Sequence, residues 1–501
     1  MPPKHLPSRK KKAAKPSGKT QLEFPTQVRV RMYRHGFGEC FLLTFPRLGK
    51  PFHMLIECGV ILGTPNAATV MKTVVRDIIA ATGGRLDVVV VTHRHWDKLS
   101  GFVQAREEFD RIEIGEVWMS WVEDQNNSQA AELRGGRTFL GQTENALSYL
   151  RKRGKTRYFR GGDGPVNIEG VPGARVFILG PPGLRPDYAT AKSAITGAQE
   201  SVVSPFDPSY RISTSAAKSE PGFASYFGNG ASPEVWRQLE SKPRMKVPRM
   251  KLGFDAETNN TSLVMAIELT GETGQSKVLL FPGDAQTASW FTWHQHVWPA
   301  DATPDDPNAI TCRKLLERTV LYKASHFGSH SGTPKEFGLD MMTNPDLVAM
   351  ISVDHVMAMK KRWIMPAIEL LEALWQKTRG RVIRSDHDAP AKFATTLTAA
   401  EADRFTRSLT STNLYFDYFV DIPQLTEAER RSTEEKWIAA NDRRVYLVDK
   451  KLAGTIKPAE AAELKELEQL MDEYMSYVAP SGIGLLTELR STLDRTRKRG
   501  S

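Results

Sequence analysis

Cysteine is scarce in this chain: only Cys40, Cys58 and Cys312 occur among 501 residues, and no CxxC pair is present. Three thiols cannot build a disulfide framework, and the pattern fits a reducing compartment, read here as the cytoplasm. Strictly apolar runs last only a few residues. They are too short for a membrane-spanning helix, so no membrane partner is expected. The N-terminus lacks the apolar core of a secretory signal. No internal repeat is evident, and no GxxxxGK follows Gly36 and Gly38, which excludes a phosphate loop there. What remains is ordinary for a folded chain, 40% hydrophobic and 25% charged. That excludes wholesale disorder, and the length suits two or three domains.

The net charge of +10 first suggests a nucleic-acid partner. Resolved along the chain, it belongs to the ends. Residues 1–20 carry seven Lys or Arg and no acid, and the last seven residues carry four, which leaves 21–494 at about −1. Residues 1–24 are rich in proline and read as a disordered basic arm. A third basic cluster is internal, with Lys242, Arg244, Lys246, Arg249 and Lys251 set among prolines.

Between the ends, strand and helix patterns alternate. Gln27–Tyr33, Glu39–Phe45 and Met54–Cys58 read as strands, Ala67–Ala81 has helical spacing, and Leu86–Val91 is a β-branched run of a doubly buried strand. Further strands are expected at 112–117, 175–179, 262–269, 277–281, 320–322, 348–353 and 381–384, with helices at 143–153 and 366–378. Residues 184–258 are Pro-, Gly- and Ser-rich without a period and read as a long insertion. The alternation predicts an α/β architecture over 25–400. From 401 to 501 the chain reads as mainly helical, with a helical hairpin over 426–478 as a surface for a protein partner.

The chemistry concentrates after the apolar strand Leu86–Val91, in Thr92-His93-Arg94-His95-Trp96-Asp97. Side chains two residues apart on an extended backbone point the same way, so His93 and His95 can grip one cation. Two later strands end in comparable groups: Phe281-Pro282-Gly283-Asp284 brings a carboxylate, and Tyr322-Lys323-Ala324-Ser325-His326 brings an imidazole. Mixed His and carboxylate sets hold borderline divalent cations that activate water near neutral pH. His330 follows on the same glycine turn. His294 and His296 form a second HxH without a suitably spaced acid and read as ordinary structural residues. His355, Asp386 and His387 fall at strand ends beside the expected active edge.

These segments resemble the metallo-β-lactamase-fold hydrolases, and most closely the soluble hydrolase-like domain of bacterial competence DNA-uptake channel proteins. Matching pieces run in order: Gly36–Glu39, Leu55–Gly59, Thr92–Phe102, Asn259–Val264, Pro282–Asp284, Lys323–Pro334, and the helix from Pro366 to the strand ending at Asp386. The resemblance implies an αββα sandwich with metals, Zn²⁺ or Mn²⁺, at one sheet edge. Carried over, His93 and His95 would bind a first metal, Asp97 and His326 a second, and Asp284 would bridge them. Two departures stand out. Lys98 follows Asp97 where the family has histidine, and no histidine lies between His95 and His294. A protonated lysine cannot ligate a metal, so one ion, or a weak pair, is expected. The Lys98 ammonium can instead stand in for the second cation.

The function expected from this reading is metal-dependent hydrolysis of a phosphoester, in the manner of a phosphodiesterase or nuclease using metal-bound hydroxide. Nucleic acid or a nucleotide would be the substrate. Asp97 would orient the attacking water, and Lys98, His330, Lys246, Arg249 and Lys251 would meet the substrate. The alternative is a catalytically degenerate scaffold of the same fold in a larger bacterial assembly, with defence as one setting. Hydrolysis of an uncharged ester or lactam is a third reading.

Overall fold

The computed structural model describes residues 27–47, 50–134, 141–171, 173–183, 258–271, 276–423 and 427–478. The basic ends and all of the 184–258 insertion except Thr258 lie outside these residues, and with them Lys246, Arg249 and Lys251.

The first sheet begins with β1 (Gln27–Tyr33), β2 (Cys40–Phe45), β3 (Phe52–Cys58), β4 (Arg85–Val91), β5 (Glu113–Ser120) and β6 (Lys155–Phe159). β1, β2 and β3 are antiparallel neighbours, and β3 through β6 run parallel. The second sheet contains β7 (Val166–Asn167), β8 (Ala174–Gly180), β9 (Val264–Thr270) and β10 (Ser276–Phe281). A short ribbon, β11 (Val297–Trp298) with β12 (Ile310–Thr311), precedes β13 (Thr319–Lys323), β14 (Val348–Ile351) and β15 (Val382–Arg384). β10, β13, β14 and β15 are parallel, and the β8–β9–β10 side is antiparallel.

The alternation within each strand sets the layers. In β4, Val88 and Val90 enter the core between the two sheets, where they join Met54, Ile56, Ile178, Met265, Ile267, Leu279 and Leu321. Val89 and Val91 point the other way, under Val74, Val75 and Ile78 of helix α1 (Ala67–Thr82) and Leu147 of the helix Gly141–Arg151. In the second sheet, Phe177, Leu179, Ala266 and Leu280 face outwards and are covered by Trp290, Trp293, Leu315, Leu370 and Leu374 from three helices. Two sheets face one another with helices on both outer surfaces. The αββα sandwich expected from the sequence is the architecture found, because each sheet must bury two apolar faces.

The body extends beyond the boundary read near residue 400. Strands β16 (Leu409–Ser411) and β17 (Tyr415–Asp421) complete the first sheet, with β17 pairing antiparallel along the whole of β1. Arg31 of β1 donates to both Asp417 oxygens, at 2.8 and 2.7 Å, and to Asp77 of α1 at 2.6 Å. The compact unit therefore spans Thr26–Glu429. Two helices at the end of the described chain, Glu427–Leu452 and Pro458–Val478, are tied by ion pairs from Arg443 to Glu463 at 2.8 Å and from Lys450 to Glu460 at 2.5 Å. No described helix is long and apolar enough to cross a membrane.

Parallel strands place their carboxyl ends on one side. β3, β4, β10 and β13 therefore deliver Glu57, His93, Asp284 and His326 to the same edge, the place where open α/β sheets gather their functional groups.

Candidate metal centre

The centre begins with the turn after β4. His93 is fully buried, and His95 is extended (φ −71°, ψ 149°) at the start of the short helix Trp96–Leu99. The extended step turns both rings to one side, with His93 Nε2 2.9 Å from His95 Nδ1. Asp284 Oδ2 lies 3.5 Å from His93 Nε2. One ligand atom from each of the three residues falls within 4.8 Å of the others. Two ligands about 2.1 Å from a common tetrahedral ion stand roughly 3.4 Å apart, so these separations fit a single divalent cation.

A hydrogen-bond network orients the His93 ring. Thr92 Oγ1 donates to Glu57 Oε1 and stands 2.9 Å from His93 Nδ1. That contact at Nδ1 holds the ring with Nε2 turned towards Asp284. Ser262 Oγ is 3.1 Å from the same Nδ1 and accepts the Asp284 backbone N–H at 3.1 Å. Burial holds the His93 imidazole neutral, with its pKa down at about 4 against the pull of Asp284. Neutral imidazole is the form that binds a metal. Burial alone would raise the Asp284 carboxyl, but Lys98 and His93 outweigh it and hold it well below its usual range. Asp284 Oδ1 faces Lys98 Nζ at 2.9 Å, which leaves Oδ2 turned to His93. The neutral His93 imidazole, the His95 ring and the ionised Asp284 carboxylate together form a donor set that suits a divalent cation.

The other expected ligands are placed differently. His326 donates or accepts with Ser329 Oγ through Nδ1 at 2.9 Å, and its Nε2 stands 3.4 Å from Asn259 Nδ2. It adjoins Asp284 closely enough to act on it electrostatically, but it is outside the three-residue cluster. Asp97 Oδ2 lies 3.2 Å from Lys98 Nζ, with its side chain 15% exposed. Lys98, expected to touch a substrate phosphate, has no exposed surface and is enclosed by carboxylates and the Phe327 ring. Burial lowers the affinity of that amine for its proton, yet Asp284, Glu39, Glu57 and Asp97 more than compensate and raise it well above its usual value. His330 is exposed at the end of the glycine turn. His294 bonds the Phe337 carbonyl at 2.9 Å, as an ordinary structural residue would. Asp386 is held by Arg384 and His387, and His355 Nδ1 by the Met365 carbonyl at 3.1 Å.

Residues not singled out from the sequence complete the centre. Glu39 pairs with both Lys98 and Lys323, and Lys323 Nζ also donates to the Gly283 carbonyl at 2.9 Å. Ser262, Thr92, Glu39 and Lys323 all fall inside the segments that carry the family resemblance, which was the available signal. Close backbone approach explains two glycines. A Cβ on Gly59 would lie 2.7 Å from the Asp97 carbonyl carbon, and Gly283 (φ 59°) has Ser262 Cβ 2.9 Å from where its own would sit. Glu57, His326 and Phe327 adopt positive φ (61°, 47° and 57°) without being glycine. Strain of about 1 kcal/mol or more at each is concentrated at this edge.

No protein-family model matches the chain, and no curated protein does. Among solved structures, it is similar to the metallo-beta-lactamase fold protein YhfI from Bacillus subtilis, at 14% identity and a TM-score of 0.18. The match spans 30% of this chain and 52% of the neighbour's, about half that protein's length. The chain is thus a mixed α/β sandwich that gathers His93, His95 and Asp284 at one sheet edge as a candidate metal site.

Proposed function

We propose that this chain is a metal-dependent hydrolase acting on a phosphoester, with a nucleotide or nucleic acid as substrate. The observation that carries the reading is the convergence of the His93 and His95 imidazoles and the buried Asp284 carboxylate within 4.8 Å. A divalent cation supplies, when bound, a Lewis acid that polarises a phosphoryl oxygen and lowers the pKa of a water. His93, His95 and Asp284 would hold it. Thr92 and Ser262 fix the His93 ring. Asp97, the partly exposed carboxylate at the lip of the centre, would accept a hydrogen bond from the attacking water and orient it. The choice of a phosphoester rests on the resemblance to competence proteins and on the basic segments of the sequence.

The test is hydrolysis of bis(4-nitrophenyl) phosphate and of single-stranded DNA by the purified chain with Mn²⁺ or Zn²⁺. His93→Ala and Asp284→Asn should each lower turnover by about 100-fold or more, since each removes a group holding the Lewis acid. Equal turnover in chelator and in both variants sinks the reading. A second reading, a silent scaffold, is favoured by one observation: lysines already pair with the carboxylates beside the triad. No bound metal after refolding with Zn²⁺ or Mn²⁺, together with no hydrolysis, would decide for it.

A further inference from the structure

The carboxylates beside the triad already surround a positive charge. Lys98 Nζ lies 2.9 Å from Asp284 Oδ1, 3.2 Å from Glu39 Oε2, 3.2 Å from Asp97 Oδ2 and 3.8 Å from Glu57 Oε2. The Lys98 side chain has no solvent exposure, and the Phe327 ring caps its ammonium at 4.0 Å. Four carboxyl groups converging on a dry point require a cation there, because uncompensated buried charge is far costlier than the pair. Asp284 is divided between two tasks. Its Oδ1 meets Lys98, and its Oδ2 turns to His93.

We infer that the Lys98 ammonium is a permanent, protein-borne second cation of this centre. The chain accordingly takes one divalent ion, at His93, His95 and Asp284, and is closed to a second. The inference rests on the metal-site reading above and deepens it. A second ion shared by Asp97 and Asp284 would have to lie within about 3 Å of the ammonium, where like charges in a dry site repel strongly. Lys323 reinforces the arrangement by pairing with Glu39 and standing 3.8 Å from Asp284 Oδ1. Lys98 is thus a positioning residue: it fixes which Asp284 oxygen faces the ion.

The experiment loads the full chain with Mn²⁺, counts bound ions by native mass spectrometry, and records the electron paramagnetic resonance spectrum. The wild type should bind one ion per chain and give the spectrum of isolated Mn²⁺. Lys98→Ala, which empties the cation position and leaves its carboxylates, should bind two and show spin coupling. Two coupled ions in the wild type overturn the inference, as does a folded Lys98→Ala chain that still binds one. Should that variant fail to fold, the wild-type count and spectrum decide alone. A wild type that binds no ion overturns the metal-site reading beneath it. One ion without phosphoester hydrolysis sinks the proposed activity and leaves the inference standing.

Discussion

At the scale of single residues, the centre depends on side chains that never touch a metal. Ser262 Oγ meets both His93 Nδ1 and the Asp284 backbone N–H, each at 3.1 Å, so one hydroxyl orients two ligands from different sheets. Ser262→Ala should weaken Mn²⁺ or Zn²⁺ binding by about 10- to 100-fold, the usual effect of removing such a partner, with little change in thermal stability. Competition against a chelator of known affinity measures it, and unchanged affinity would show that Ser262 only packs. His53 offers a separate test of electrostatics. Burial, then Arg29, keeps its imidazole neutral, with its pKa down at about 3. The unfolded chain takes the proton near pH 6.5, so this contribution to stability is complete above pH 6.5. It declines as pH falls towards 3, by roughly 4 kcal/mol. Denaturation of metal-free protein across that window should show a shallower slope in His53→Gln than in the wild type.

At the scale of elements, loops at strand ends meet with no room between them. The Gly59 position abuts the backbone of Asp97, and Glu39 N–H reaches the Asp97 carbonyl at 3.3 Å. The loop after β3 thereby sets the height of the turn that carries Asp97 and Lys98. Gly59→Ala should cost about 1–3 kcal/mol by overpacking. It should also displace that turn, lowering the melting temperature and loosening metal binding together. Full metal affinity in a destabilised Gly59→Ala chain would uncouple the two loops. Much at this scale was legible in the sequence. Leu86–Val91 announces a doubly buried strand through β-branched residues, and Ala67–Thr82 shows its stripe at Met71, Val74, Val75 and Ile78. β6 was not legible, because its Lys155–Phe159 run is a half-exposed edge of mixed polarity. β17 was hidden for another reason. Its Tyr415–Asp421 sequence carries Asp417 inwards, and only the distant Arg31 makes that burial affordable.

At the scale of the whole molecule, β17 closes the first sheet beside β1, almost four hundred residues away along the chain. A chain ending at residue 407 should therefore expose the β1 edge, leave Arg31 without Asp417, and aggregate. One ending at Glu429 should keep the sandwich and its metal affinity. Circular dichroism and metal titration of the two truncations check this. Equal folding of both would mean that β17 is dispensable. The net charge of +10 also belongs at this scale. Its basic ends lie outside the described residues, and among the described residues the charges of the centre pair with one another.

The sequence by itself determined the alternation of strands and helices and the strand-end positions of His93, His95, Asp97, Asp284 and His326, since periodicity and strand-end motifs are local properties of the chain. All five could be named before any contact was known, but that His93, His95 and Asp284 come within 4.8 Å of one another is a property of the fold. Which acids surround Lys98 was decided only by the tertiary structure. Beside Asp97 in the sequence, it reads as a charge for binding a phosphate or as a stand-in for a second cation. In the fold, Glu39, Glu57 and Asp284 arrive from three other strand ends and enclose it completely. A lysine's role is set by the acids around it and the water excluded from it, and neither is written in its neighbours along the chain.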